Sequence, residues 1–126
     1  LFIREFISRF LCFSPNSVNE NMKFAKMRIS DSFAKAYNQV LGPNFINDIL
    51  EFGVIQVTSV YDVNIANYSD TGFTAIAQCG RIKNDKINKQ TVEQKLTVEI
   101  TVVRGHITDE NPWGYYVDQI RETVSN

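Results

Sequence analysis

The sequence of 126 residues predicts an α+β fold, with N-terminal helices packed on one face of a curved, four-stranded antiparallel sheet. Two observations lead to this prediction. Apolar residues recur at helical spacing over residues 1–53. From Val54 to the end of the chain their period falls to two, which is typical of strands. Connections are short and no repeat is visible, so we predict a single domain over residues 1–126, with helices in 1–53 and the sheet in 54–126.

The composition is that of an ordinary globular protein, with 44 % hydrophobic and 21 % charged residues. The net charge is −1, so the chain lacks the excess of basic residues that nucleic-acid binding needs, and no direct contact with nucleic acid is expected. No stretch approaches the roughly 20 apolar residues of a membrane-spanning helix. Cys12 and Cys79 do not have the spacing of a metal-binding pair. Two alternatives stay open for them: two free thiols or one disulfide.

Residues Leu1–Phe13 are predicted to form an amphipathic helix. Its apolar stripe has the spacing i, i+3, i+4, i+7, i+8 and consists of Ile3, Phe6, Ile7, Phe10 and Leu11. Phe2 and Phe13 widen this stripe beyond what the core of a small domain normally needs. Either the whole helix is well buried, or part of the stripe meets a partner protein.

A second helix is predicted after the break at residues 14–17. Ser17 and Glu20 have the spacing of a capping box, in which each side chain bonds the backbone amide of the other residue. The core-facing residues are predicted to be Val18, Met22, Ala25 and Ile29. Met27 is also expected to fill the core. The basic residues are predicted on the outer, solvated faces: Lys23, Lys26 and Arg28.

Two further helices complete the N-terminal half. Ser30-Asp31 is predicted to cap a helix that Gly42-Pro43 ends, because glycine favours the C-cap conformation and proline cannot continue a helix. Asn44 is predicted to cap a short helix, Phe45–Phe52, which Gly53 closes.

Four strands are predicted in the remaining sequence: Val54–Ala66, Phe73–Lys83, Thr91–Arg104 and Tyr115–Val124. Turn residues over 67–72 and a polar connector over 84–90 separate the first three. In the first strand, the apolar odd-numbered positions are expected to face the core: Ile55, Val57, Tyr61, Val63 and Ile65. The polar residues between them, Gln56 and Thr58 included, are expected to face solvent. Helices followed by such a sheet indicate a nuclear-transport-factor-two-like (cystatin-like) cone.

The connection before the last strand carries more aromatic surface than a simple hairpin needs. It reads Asn111-Pro112-Trp113-Gly114-Tyr115. Pro112 has a fixed backbone angle and keeps Asn111 out of the helical region, so the chain turns here. Trp113 is the single tryptophan of the chain. Two interpretations stay open: a hairpin loop whose tryptophan packs under the core, or a rigid recognition loop that displays it.

No catalytic residue, cofactor site or metal site is predicted. His106 lies in a polar stretch with Asp109 and Glu110, which an exposed loop explains. Asp62 beside Tyr61 is the best candidate for the acid and phenol that isomerases of cone-shaped folds use, but neighbouring strand residues point to opposite faces. The histidine and the cysteines have no ligand neighbours at useful spacing. The sequence therefore predicts a protein that is not an enzyme.

The run Asn111-Pro112-Trp113-Gly114, followed by Tyr115-Tyr116-Val117 late in a helix-then-sheet domain, resembles a family signature. It is similar to the NPxG-plus-aromatic motif of the VirB8/TraE-like family, the inner-membrane assembly factors of type IV secretion and conjugation systems. The Phe2-Ile3-Arg4-Glu5-Phe6 segment, the Ser14-Pro15 break and the order of elements also resemble TraE-type members. Where the family often has Leu, Phe or Tyr after the proline, this chain has Trp113, a larger anchor.

The resemblance implies that the chain is the periplasmic domain of a bitopic protein of the bacterial inner membrane, with its membrane-spanning helix upstream of Leu1. It implies self-association as a dimer or higher oligomer, contacts with other channel subunits and no enzymatic activity. By the motif, Asn111–Tyr115 would be the structural and interaction loop.

Three functions follow from these observations. The first is an assembly component of a type IV secretion channel. The second is a small-molecule-binding or isomerase-like domain of the same fold, which needs a deep apolar pocket with a buried carboxylate. The third is a generic domain whose loop has only a structural role.

Overall fold

The computed structural model of the protein describes residues 2–38, 43–85 and 89–125. Four helices precede four strands: α1 (Phe2–Phe10), α2 (Val18–Lys26), α3 (Asp31–Asn38), α4 (Pro43–Phe52), β1 (Val54–Ser69), β2 (Gly72–Asp85), β3 (Gln90–Arg104) and β4 (Tyr115–Ser125). The strands form one antiparallel sheet in the order β1-β2-β3-β4. The predicted α+β class and element order are confirmed.

The core lies between the helices and one face of the sheet. Phe6 and Ile7 of α1 are fully buried in the same cluster as the inward-facing residues of β3, which are Leu96, Val98, Ile100 and Val102. Phe2 and Phe13 are buried as well. The wide apolar stripe of the first helix is therefore core, and the structure favours burial over a partner contact for this helix.

The helical layer is bonded to both edges of the sheet. The backbones of Phe13 and Gln56 exchange hydrogen bonds of 2.9 and 2.8 Å beside β1. On the opposite edge, the Val117 amide donates to the Arg28 carbonyl at 2.7 Å, and the Ser30 amide donates to the Val117 carbonyl at 2.9 Å. These contacts hold the connector between α2 and α3 against the start of β4.

The first half of β1 faces the opposite way from the prediction. Gln56 and Thr58 are buried, whereas Tyr61 is 68 % exposed. The inward polar groups are satisfied because the Gln56 amide and the Thr58 hydroxyl both donate to the Leu11 carbonyl, at 2.9 and 2.8 Å. A register shift between Val60 and Asp62 makes Tyr61 a bulge residue.

Beyond the bulge, Val63 and Ile65 point to the predicted face of the sheet, but Ile65 is 51 % exposed and does not join the core as predicted. Val63 and Ile65 pair with Ala77 and Ala75, which are buried on the face of the sheet that meets the helices. The small side chains of β2, Ala75 and Ala77, thus lie beneath the helical layer.

Two details of the second helix differ from the prediction. Ser17 precedes α2 but its side chain makes no capping bond to the helix; its hydroxyl oxygen instead accepts from the Ser14 amide at 3.0 Å. Met27 is 41 % exposed and does not fill the core, because α2 ends at Lys26 and the helical period no longer applies. Ser30 caps α3 as predicted, since its hydroxyl oxygen accepts from the Phe33 amide at 3.1 Å.

Strands β1 and β2 extend beyond their predicted C-terminal ends, to Ser69 and Asp85. The polar connector after β2 is shorter than the predicted 84–90, and residues 86–88 lie outside the described part, as does Gly42. Pro43, predicted with Gly42 to end the third helix, is instead the first residue of α4, so Asn44 lies inside that helix and does not cap it. Gly53 closes α4 at a φ of 63°. Both Cys12 and Cys79 are free thiols.

Candidate functional site: the loop between β3 and β4

Hydrogen bonds within the loop fix its conformation. The Asn111 backbone amide donates to the Thr108 hydroxyl oxygen at 2.9 Å, and the Thr108 backbone amide donates to the Asn111 carbonyl at 3.2 Å. The Gly114 amide also donates to the Asn111 carbonyl, at 3.2 Å. At its base, the Gly105 amide donates to the Gly114 carbonyl at 2.9 Å. The loop is thus held in one conformation by its own backbone, as expected of a rigid loop.

Asn111 joins the loop to the rest of the domain. Its side chain is fully buried, and its amide nitrogen donates to the carbonyl oxygens of Met27 at 3.3 Å and Tyr115 at 2.8 Å. One side chain therefore connects the end of α2, the loop and the start of β4. An asparagine amide supplies both donors from one planar group, which no shorter or apolar side chain offers.

Arg28 supports the loop from the helical side. Its guanidinium donates to the Glu110 carbonyl at 2.6 Å and to the Phe24 carbonyl at 3.0 Å. It also lies 3.6 Å from the centre of the Phe24 ring, a cation–π contact. The Glu5 carboxylate lies 3.9 Å from its Nε.

The burial of Arg28 corrects the prediction that it is solvated with Lys23 and Lys26, which are both exposed. The chain has left α2 before Arg28, so the helical face assigned from spacing is not the face it occupies. No signal in the sequence identified this residue as part of the site.

Gly114 is required by the geometry of the loop. Its φ is +67°, in the left-handed region that favours glycine. A Cβ atom at this position would lie 2.8 Å from the Ile107 side chain. Gly114 is thus a position where the chain turns sharply against a neighbouring side chain.

Trp113 is neither buried in the core nor fully displayed. Its side chain is 44 % exposed and lines a groove of about 390 Å³ at the N-terminal end of α1. Phe2, Ile65 and Phe73 line the same groove. Trp113 therefore does not pack under the core, and about half of its side chain is open to solvent beside this groove.

Tyr115 is an inward anchor. Its ring packs edge-to-face on Phe2 and Phe73, with centroid distances of 5.7 and 5.1 Å. Hydrogen bonds with Tyr68 and then Arg104 lower the pKa of the Tyr115 phenol, because they stabilise its ionised form. Pro112, by contrast, is exposed. The five predicted loop residues are therefore together in space, with Asn111 and Tyr115 directed inward and Trp113 at the surface of the groove.

The residues considered as catalytic candidates are all exposed. His106 is exposed, and Asp62 is exposed with its carboxylate accepting from the Asn64 amide at 3.1 Å. Among the described residues, no Asp or Glu is buried. The same part of the chain contains no cluster of His, Cys, Asp or Glu able to hold a metal ion, and none of its helices is long and apolar enough to cross a membrane.

A second groove, of about 330 Å³, lies between the helices. Its walls are apolar and aromatic and include Phe10, Met22, Phe33 and Tyr37. Lys26 is the charged residue among its described lining. The buried carboxylate that an isomerase-like site needs does not line this groove.

Comparison with solved structures identifies the fold. The chain matches VirB8 of Agrobacterium tumefaciens with a TM-score of 0.76 and 10 % identity, over 98 % of this chain and 88 % of that one. The chain has the fold of the VirB8-like type IV secretion proteins. CagV, a VirB8 homologue of Helicobacter pylori, matches with a TM-score of 0.71 and 15 % identity, over 99 % and 95 % of the two chains.

A third similar structure is the soluble domain of TrwG from the type IV secretion machinery of Bartonella grahamii. Its TM-score is 0.76 at 12 % identity, over 99 % of this chain and 91 % of that one. No family model and no curated protein matches the sequence. The VirB8/TraE-like resemblance seen in the Asn111–Gly114 motif is therefore confirmed as a likeness of fold that extends over nearly the whole chain.

Proposed function

We propose that this chain is a non-enzymatic assembly component of a type IV secretion (conjugative transfer) channel that acts through protein–protein contacts. The observation that carries the proposal is the likeness of fold to VirB8, CagV and TrwG over 98 to 99 % of the chain. The exposure of every catalytic candidate supports a role without chemistry.

The loop Asn111–Tyr115 is proposed as the contact site of this component. Hydrogen bonds from the buried side chains of Asn111 and Arg28 hold the loop in place. These two residues are proposed to support the contact site without touching the partner. Trp113 supplies the exposed aromatic surface that protein interfaces favour. Because buried residues fix the loop and Trp113 lies at the surface, the loop is a preformed binding element in this proposal.

We further propose that residues 1–126 form one periplasmic domain of a protein anchored in the bacterial inner membrane by a helix upstream of Leu1. This arrangement follows from the VirB8/TraE-like resemblance, as does self-association into a dimer or higher oligomer. A net charge of −1 supports protein partners rather than direct contact with nucleic acid.

Complementation of a conjugation-defective strain tests the proposal. Trp113→Ala in the full-length protein is expected to abolish or strongly reduce transfer without loss of the protein. Trp113→Phe, which keeps an aromatic ring, is expected to retain part of the transfer. The matched control is Val57→Ala, because Val57 is similarly exposed but lies on the other face of the sheet. Wild-type transfer by Trp113→Ala would contradict the proposed role of the loop.

A further inference from the structure

The groove beside Trp113 takes one of its walls from the first turn of α1. Phe2, Ile3 and Arg4 line it together with Trp113 and Tyr115. These three residues of α1 lie at the opposite end of the sequence from the loop. The contact site proposed from the loop motif therefore also involves a helix that the motif does not include.

Phe2 joins this turn of α1 to the residue that follows Gly114. Its ring packs edge-to-face on Tyr115, with a centroid distance of 5.7 Å and an interplanar angle of 67°. Phe2 is only 4 % exposed. Aromatic pairs in this geometry stabilise a fold beyond the effect of burial alone. Because only Gly114 separates Tyr115 from Trp113, a ring that holds Tyr115 also limits where the indole can lie.

Polar contacts join the same turn to β1 and to the support of the loop. The Arg4 guanidinium donates to the Val60 carbonyl at 3.1 Å. The Glu5 carboxylate lies 3.9 Å from the Nε of Arg28, whose guanidinium bonds the loop. Arg4 and Glu5 are both exposed, and contacts of exposed charged side chains contribute little to stability. We therefore expect Phe2 to contribute most to the docking of this turn.

We propose that the first turn of α1 is a wall of the Trp113 contact site, and that Phe2 is a positioning residue that fixes the indole of Trp113 through Tyr115. When the Phe2 ring is removed, Tyr115 loses an edge-to-face partner and the indole gains freedom, while the hydrogen bonds within the loop remain. The inference rests on the proposed function, because it adds a second element to the contact site of that function.

The fluorine resonance of 5-fluorotryptophan, incorporated at the single tryptophan, tests the inference in the 126-residue chain. Phe2→Ala should move this resonance toward its position in urea. In the unlabelled chain, the same substitution should increase the quenching of Trp113 fluorescence by acrylamide. Phe2→Leu, which keeps an apolar side chain, should show smaller changes in both measurements.

Phe10→Ala is the matched control. Phe10 lies in the same helix and is 6 % exposed, but its ring packs on Phe33 and Tyr37 and lines the groove between the helices. Its loss should lower the stability of the domain without moving the fluorine resonance of the native protein. If either alanine variant unfolds, the pair Phe2→Leu and Phe10→Leu gives the same comparison.

Transfer by the full-length protein, at matched abundance of the variants, gives the functional readout. Phe2→Ala should reduce transfer, whereas Phe10→Ala should retain it. Equal effects of the two substitutions on the resonance and on transfer would overturn the inference, because they would reflect a general loss of stability.

A double-mutant cycle tests the path through Tyr115. Tyr115→Leu removes the ring that Phe2 meets, so Phe2→Leu should shift the fluorine resonance far less in that background than in the wild type. An undiminished shift would show that Phe2 does not act through Tyr115, which overturns the inference.

The outcomes separate this inference from the proposed function. A resonance that does not respond to Phe2, while Trp113→Ala abolishes transfer, refutes the inference and leaves the proposed function standing. A resonance that responds to Phe2, together with wild-type transfer by Trp113→Ala, refutes the proposed function instead, and the positioning of the indole by Phe2 stands.

Discussion

The Arg28 guanidinium donates a hydrogen bond of 2.6 Å to the carbonyl oxygen of Glu110, a residue 82 positions away in the sequence. Asn111, the next residue, donates to the carbonyl of Met27, the residue before Arg28. Two adjacent pairs of residues thus connect the end of α2 to the loop before β4. Changes in the loop should therefore appear as changes in the stability of the whole domain.

Asn111→Ala is expected to lower the free energy of unfolding by about 1–3 kcal/mol, because it leaves the carbonyls of Met27 and Tyr115 without their side-chain donor. Urea unfolding followed by circular dichroism measures the loss. Asn64→Ala is the control: Asn64 is exposed, and its loss should cost within about 0.5 kcal/mol. Equal effects of the two substitutions would show that Asn111 does not support the loop.

Arg28→Met is expected to cost about 2–3 kcal/mol of unfolding free energy, because methionine fills the space but leaves the Glu110 and Phe24 carbonyls unbonded. Arg28→Lys should recover only part of this, since one ammonium group cannot reproduce a guanidinium that reaches two carbonyls and covers a ring. Lys26→Met on the exposed face is the control. If Arg28→Lys is as stable as the wild type, the geometry of the guanidinium is unimportant.

Gly114→Ala should destabilise the domain by about 1–2 kcal/mol through the left-handed backbone conformation alone, with a further cost from the contact with Ile107. Thermal unfolding measures the combined loss. The double variant Gly114→Ala with Ile107→Ala should recover the second part, because it removes the atoms that the new methyl group meets. No recovery in the double variant would assign the whole cost to the backbone.

Tyr115 and Tyr37 are expected to ionise on opposite sides of the ordinary tyrosine pKa. Hydrogen bonds with Tyr68 and Arg104 lower the pKa of Tyr115, whereas burial and then the charge of Glu122 raise the pKa of Tyr37. Phenolate absorbance titrations of the wild type, Tyr115→Phe and Tyr37→Phe measure this. Loss of the earliest-ionising group in Tyr37→Phe instead of Tyr115→Phe would contradict the assignment.

The same shifts predict the dependence of stability on pH. The lowered pKa of Tyr115 gives a stabilisation that is present above the ordinary tyrosine pKa and is lost as pH falls through the folded value. The raised pKa of Tyr37 gives one that is present below the ordinary value and is lost as pH rises through the folded value. Urea unfolding of Tyr37→Phe should accordingly lose less stability at strongly alkaline pH than the wild type.

Fluorescence of the single tryptophan reports directly on the loop. With Trp113 at 44 % exposure, its emission should lie between that of a buried and that of a fully hydrated indole. Acrylamide should quench it in the native state, though less than in urea. Fully blue-shifted emission that acrylamide cannot quench would restore the interpretation in which the tryptophan packs under the core.

Most of the fold was predictable from the sequence because each element has a local signal. Each of these signals spans only a few residues: the apolar stripe of α1, the cap at Ser30, the glycine after α4 and the alternation in β3. The orientation of β1 was not predictable in this way. Gln56 and Thr58 face inward because a distant carbonyl, that of Leu11, accepts from both.

The candidate site was predictable only in part. Proline and glycine place a sharp turn at Asn111–Gly114, and the lone tryptophan marks it as unusual. The partners of Asn111 were not visible, since Met27 is distant in sequence and contributes only its backbone. The role of Arg28 depends on where α2 ends, and a shift of one or two residues at a helix end changes which face a side chain occupies.

The backbone pairings of Phe13 with Gln56 and of Ile29 with Val117 have a kinetic consequence. Val117 lies near the end of the chain, so the connector between α2 and α3 completes its bonds only after nearly all residues are available. Pairings between residues so far apart slow folding, because the entropy of loop closure is lost before the contact forms. When the chain emerges N-terminal part first, the Arg28 carbonyl and the Ser30 amide wait for their β4 partner, Val117. During that interval the chain is a substrate for chaperones and proteases.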